Sequence, residues 1–192
     1  MTNPADEALP PRLRAFVAAM DSVVEAEGDE TVIVRRCAEL LAELVAVDDW
    51  LPPSCARPHP QHYQQYLLYR DPQDRYSVVS FVWGPGQKTP VHDHGIWGVI
   101  GMLRGAEYSR HYRCEAGALA PAGAEERLEP GQTTAVSPRL GDIHQVRNAY
   151  DDRVSISIHV YGTDIGKQER HVYDPTTGIA KRFVSGYANA HE

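Results

Sequence analysis

The chain has 192 residues, a formal net charge of -7, and 42% hydrophobic against 23% charged residues. That length suits one domain with a sizeable core. The acidic balance and the lack of any long Lys or Arg block exclude a phosphate-tracking nucleic-acid face. No apolar run approaches the roughly 18 to 20 residues that span a bilayer. The opening run Met1-Thr2-Asn3-Pro4-Ala5-Asp6-Glu7 lacks the basic and apolar regions of a signal peptide. A cytoplasmic chain with no nucleic-acid or membrane partner is expected, and nothing in the sequence selects an oligomeric state. The three cysteines, Cys37, Cys55 and Cys114, form no CxxC pair, which excludes a disulfide framework or a zinc ribbon.

Residues 1–50 read as two helices. Leu13, Phe16, Val17, Met20 and Val24 recur at helical spacing behind Pro10-Pro11. Gly28 ends that stretch, and Asp29 is placed to cap the next, whose stripe is Ile33, Cys37, Leu40, Leu41 and Leu44. Leu51-Pro52-Pro53 breaks the pattern and opens a polar linker to Pro60. From Tyr63 onward, short Val-, Ile-, Tyr- and Leu-rich runs alternate with Gly, Pro and Asp. Strands are predicted at 63–69, 76–83, 97–104, 106–113, 132–136, 143–147 and 153–161. Residues 116–126 are predicted as an exposed loop, and the stretch after Gly186 as loosely held. The expected architecture is mainly β: a jelly-roll barrel over 60–175 with two N-terminal helices packed on it and a tail over 176–192, all in a single domain over 1–192.

Within the strand region lies Gly86-x5-His92-x-His94-x3-Gly98-x6-Gly105, answered by Pro138-x2-Gly141-x2-His144-x3-Asn148. Histidines two apart on a strand share a face, and the glycines supply turns that bring distant strands together. His92, His94 and His144 are therefore candidate metal ligands, whereas His59, His62, His111, His171 and His191 need no such role. Imidazole accepts iron, zinc, copper, nickel and manganese alike, so ligand type leaves the metal open. Asp93, between the first two ligands, should point away from them and serve as a strand-end contact or an anchor for an imidazole N–H.

These motifs resemble the paired motifs of the cupin superfamily, with one departure. Many cupins carry a glutamate ligand soon after the second histidine, and His94-Gly95-Ile96-Trp97-Gly98-Val99 has no carboxylate.

The segment Ser155-Ile156-Ser157-Ile158-His159-Val160-Tyr161 alternates strictly, with Ser157, His159 and Tyr161 on one face. If the apolar face packs outward, that polar row lines the barrel lumen and can hydrogen-bond in series. An exposed edge strand fits the alternation equally well. Trp83 and Trp97, close to the metal motifs, either wall the pocket or pack the core.

Together, His92-Asp93-His94, Gly141-Asp142-Ile143-His144 and Ser157-Ile158-His159-Val160-Tyr161 resemble the thiol dioxygenases, over about residues 63–174. The resemblance implies Fe(II) on His92, His94 and His144, with Ser157, His159 and Tyr161 as an outer relay. It also implies oxidation of a small thiol carboxylate by O2 to the sulfinic acid. Cysteine-selective members carry an early-strand arginine for the substrate carboxylate and a cysteine that crosslinks to the tyrosine. Here Gln64 occupies the arginine's place, and 95–101 hold only glycine and apolar residues. That pattern is similar to the glutamine-type bacterial 3-mercaptopropionate enzymes, in which a late arginine, here Arg170, takes the carboxylate. Read alone, Arg170 is an ordinary surface residue and Gln64 a routine strand residue. A cysteine or mercaptosuccinate dioxygenase and a non-catalytic metal- or ligand-binding cupin are the alternative readings.

Overall fold

A computed structural model describes residues 9–115 and 118–190. The polar opening residues, His191, and Ala116 and Gly117 of the expected loop lie outside that range. Both predicted helices form, as α1 (Pro11–Ala26) and α2 (Glu30–Val45). Pro11 opens α1, where the missing N–H costs no hydrogen bond. Asp29 caps α2 by accepting from the Thr31 backbone N–H at 2.8 Å. Pro52 and Pro53 lead into a single 3-10 turn, Pro53–Ala56.

The seven predicted strands are all present: β1 (Gln64–Arg70), β2 (Ser77–Trp83), β4 (Gly98–Arg104), β5 (Glu107–Glu115), β8 (Thr133–Val136), β9 (His144–Asn148) and β10 (Ser155–Tyr161). Five more lie outside the predicted set: β3 (Val91–His92), β6 (Ala118–Pro121), β7 (Glu126–Leu128), β11 (Arg170–Tyr173) and β12 (Ala180–Phe183). Strands of two to four residues carry too few side chains to show a period. They exist because longer neighbours supply hydrogen bonds. The predicted 116–126 loop is corrected accordingly, since Ala118–Pro121 pairs antiparallel with the end of β5. The predicted tail is corrected as well. Part of it is β12, and beyond Gly186 the Ala188 N–H donates to the Gln65 carbonyl while Asn189 bonds the Leu67 backbone twice.

The strands form two sheets, β1-β2-β10-β4-β8 and β12-β11-β3-β9-β5-β6, with β7 paired to β5 in the second. This is the expected mainly-β, two-sheet jelly-roll barrel with helices on one side. The helices cover the outer face of the five-stranded sheet. Leu13, Phe16, Met20, Cys37, Leu41 and Leu44 pack there against Val78, Val82, Val99, Ile156, Ile158 and Val160. Each such buried side chain contributes about 1.5–3 kcal/mol, upper values relative to a fully exposed chain. The inner face is smaller and mixed, with Val79, Phe81, Trp83, Val146, Tyr161 and Ile165 packed together. Because β10 sits in the middle of its sheet, its apolar row faces the helices and Ser157, His159 and Tyr161 face the lumen. No helix among the described residues is long and apolar enough to cross a membrane.

Candidate metal centre and its surroundings

β3 and β9 lie side by side with His92 directly opposite His144. His94 follows in the loop after β3. The three imidazoles offer nitrogen atoms within 4.8 Å of one another, and all three residues are buried. Each ring is oriented through its other nitrogen. His92 Nδ1 bonds the Pro90 carbonyl at 3.1 Å, His94 Nδ1 bonds Asp142 at 2.8 Å, and His144 Nδ1 bonds Ser109 Oγ at 3.1 Å. A carbonyl and a carboxylate can only accept, so His92 and His94 carry hydrogen on Nδ1, and Nε2 is the nitrogen left to meet a metal. Burial, reinforced by the neighbouring His94, pushes the His92 pKa down to about 3. Burial, then His92 and His94, holds His144 well below its ordinary value. A transition metal takes imidazole nitrogen, and three buried rings each held through the other nitrogen form a donor set that fits an ion.

Asp142 has a larger part than the sequence suggests. Besides the His94 ring it accepts from the backbone N–H of His94 at 3.0 Å and of Gly95 at 2.7 Å. Desolvation pushes its pKa up, but the bonds and charge of His94 and the Gly95 N–H outweigh that and leave the pKa lowered. The loop carrying the second ligand is thus clamped by a residue two before the third. Of the two roles considered above, Asp93 takes the strand-end contact: it accepts from the His171 backbone N–H at 2.7 Å, from His171 Nδ1 at 3.0 Å and from Tyr173 Oη at 2.6 Å. It fastens β11 rather than a ligand. Asn148, the last motif residue, donates to the carbonyls of Trp83, Gly84 and Arg153 and accepts from Ser155 Oγ, which holds the end of β9 to β2 and β10.

The polar row of β10 is continuous. Ser157 Oγ lies 2.9 Å from His159 Nε2, and His159 Nδ1 lies 2.8 Å from Tyr161 Oη. Tyr161 stacks on His94 with ring centroids 5.4 Å apart, which places its phenol beside the ligand cluster. Gly98 lies opposite Tyr161 in the β4–β10 ladder, where a Cβ would fall 2.8 Å from the ring. Burial holds the Tyr161 phenol above its ordinary pKa and His159 well below its own, so both are neutral at pH 7. The two tryptophans divide. Trp97 packs in the outer core, while Trp83 lies in the inner cluster and donates to Ser157 Oγ at 3.0 Å.

Arg170 is 3% exposed, which overturns its surface reading. Val172 pairs with His92 across β11 and β3, so Arg170, two residues away, shares the ligand face. Its guanidinium donates to Ser185 Oγ at 2.6 Å and lies 4.7 Å from the Phe183 ring centroid. Nε is buried without a partner, and no acidic group among the described residues lies within ion-pair distance. Gln64 is not on that face. It pairs with Val82, whose side chain meets the helices, and its amide donates to the Tyr63 carbonyl. The lumen-facing glutamine is Gln65, opposite Phe81, which donates to Ser185 Oγ at 3.0 Å and to the Gly186 carbonyl at 2.9 Å. Gln65 and Arg170 thus meet at one serine.

No family model matches the chain. Among solved structures it is similar to TT1209 from Thermus thermophilus, at 21% identity and a TM-score of 0.47 over 62% of this chain and 97% of that one. It is also similar to a cupin superfamily protein from Desulfitobacterium hafniense, at 13% identity and a TM-score of 0.46 over 62% and 94%. A third is a protein with a double-stranded β-helix domain from Klebsiella pneumoniae, at 16% identity and a TM-score of 0.42 over 69% and 86%. The likeness is one of fold.

Proposed function

We propose that this chain is a non-haem Fe(II) thiol dioxygenase that converts a small thiol carboxylate, 3-mercaptopropionate foremost, to its sulfinic acid. The observation that carries this reading is the buried cation Arg170, without an acidic partner among the described residues, on the same face as three imidazole donors. A buried unpaired charge is strongly unfavourable, and a substrate carboxylate would relieve it. Fe(II) on His92, His94 and His144 would supply Lewis acidity toward a thiolate and redox access to dioxygen. The balance is R–SH + O2 → R–SO2H: sulfur loses four electrons, dioxygen gains four, and no further reductant is required.

The chain's own residues then have distinct tasks. Arg170 orients the carboxylate through a planar N–H fork. Gln65 holds Ser185 against that fork. Tyr161, beside His94, hydrogen-bonds to substrate or dioxygen, and His159 and Ser157 fix its hydroxyl. Phe81 stacks on His159 and packs with Tyr63 and Trp83, which sets apolar rings along the relay.

The test is oxygen uptake by Fe(II)-loaded protein with 3-mercaptopropionate, L-cysteine and mercaptosuccinate in parallel, with sulfinate quantified. Fastest turnover of 3-mercaptopropionate is expected. A preference for cysteine would reassign the substrate, and no uptake with any of the three would sink the reaction. Tyr161→Phe should lower sulfinate formation by about a hundredfold with iron content unchanged. An unaltered sulfinate yield would remove Tyr161 from the chemistry.

A further inference from the structure

A buried carboxyl adjoins the Ser157 end of the Ser157–His159–Tyr161 row. Glu107, on β5, is 2% exposed and turned into the barrel, where Ser157 and the Trp83 indole bonded to it are the polar groups that act on its carboxyl. Its other surroundings are neutral. Across the two ladders it faces Asn148 of β9 and Leu128 of β7, and the Asn148 amide is committed to three carbonyls. No lysine or arginine among the described residues lies within ion-pair distance, and Oε2 has no hydrogen-bond partner. A buried carboxyl with neither a cation nor a full set of donors has no structural duty to explain it.

We propose that Glu107 is the outer terminus of a four-group proton wire, Glu107–Ser157–His159–Tyr161, whose protonation decides whether Tyr161 offers the metal cavity a hydrogen or a lone pair.

The argument is a count of donors and acceptors. Ser157 Oγ has one hydrogen to give and two lone pairs, and the Trp83 N–H occupies one of these. When Glu107 is ionised it takes the serine hydrogen. Oγ must then accept from His159 Nε2–H, His159 Nδ1 accepts from Tyr161 O–H, and the tyrosine oxygen faces the cavity as an acceptor. When Glu107 is protonated it donates to Oγ. The serine hydrogen turns to His159 Nε2, His159 Nδ1–H donates to Tyr161 Oη, and the phenol hydrogen is free to point at the cavity. Ser157 is fully satisfied in both states, so neither is penalised. Passing from the second state to the first moves one proton from Tyr161 to a basic oxygen of the bound reactants and replaces it, link by link, from Glu107, with no change in redox state. Burial, only partly offset by Ser157 and Trp83, pushes the Glu107 pKa up to about 7, so both states are populated near neutrality. The consequence for turnover rests on the reaction proposed above, whereas the wire itself does not.

The experiment follows the His159 ring nitrogens by NMR in full-length protein loaded with zinc, a diamagnetic stand-in. In the parent, the hydrogen is expected to move from Nδ1 to Nε2 as pH rises through about 7. In Glu107→Gln and in Ser157→Ala, which cuts the next link, one tautomer should persist at every pH. A single pH-independent tautomer in the parent, or a switch that survives in Glu107→Gln, overturns the wire. Stability gives a second readout. The Glu107 pKa is raised from 4.5 to about 7, so its contribution is full below 4.5 and lost as pH rises through about 7, and Glu107→Gln should remove that slope. A tautomer switch without thiol oxidation would retain the wire and discard the reaction. Oxidation with a single tautomer would do the reverse.

Discussion

His144→Ala should abolish specific metal binding, and with it oxygen uptake. Among the described residues three imidazoles form the whole donor set, since the loop after His94 supplies no carboxylate. With one removed, two nitrogens remain, both from the short stretch formed by β3 and the loop after it. Loss of a residue that merely orients a ligand typically costs 10- to 100-fold in affinity, so loss of a ligand should exceed roughly 100-fold. Asp142→Asn is the natural comparison. It keeps the ligands but weakens the clamp on the His94 ring and backbone, and should fall in the smaller range. Thermal unfolding with and without added Fe(II) or Zn(II) measures both. A metal present at a hundredfold its dissociation constant adds about 2.7 kcal/mol to the parent, and His144→Ala should gain nothing. An equal upward shift in parent and variant would place the ion elsewhere.

Arg170→Met should act on substrate and on stability in opposite senses. A hydrogen bond to a charged group contributes about 1.5–3 kcal/mol, so kcat/KM for 3-mercaptopropionate should fall about 10- to 100-fold. Oxidation of a thiol without a carboxylate should change little. The ligand-free variant should be as stable as the parent or more so, because a desolvated cation lacking an acidic partner is exchanged for an apolar side chain of similar length. An arginine that only propped Ser185 and Phe183 in place would show the other pattern: lower stability and the same loss for both thiols. The ratio of kcat/KM values for the two thiols therefore decides the role of Arg170.

How much of this is legible in the chain depends on the range of the forces involved. The helices are legible because apolar spacing and the Asp29 cap act within a few residues. The three candidate ligand histidines stand out because the glycine spacings around both motifs constrain local turns. The β10 alternation shows which residues share a face but not which face is buried. That is settled by β2 and β4 pairing on its two edges and the helices covering the apolar row.

Misreadings cluster where the deciding partner is remote. Gln64 and Gln65 differ by one position, and a one-residue shift in register reverses the face of a strand side chain. Only the pairing of Gln65 with Phe81 distinguishes them. Asp93 and Asp142 each neighbour one of the clustered histidines in sequence, and the fold turns Asp142 to the His94 ring and Asp93 to His171 of β11. Glu107 leaves no signal at all, since Glu107-Tyr108-Ser109 reads like any half-exposed strand. Its carboxyl is buried because β5 runs between β9 and β7 with that face turned inward.

By itself, then, the sequence determined the helices, the longer strands, the three imidazoles and the composition of the polar row, all set by periodicity and local turns. The tertiary structure decided which side of each strand sees the cavity, which carboxylate orients a ligand, and that Arg170 and Glu107 are buried. Those outcomes are fixed by ladders between segments far apart in the chain, whose register no local pattern encodes.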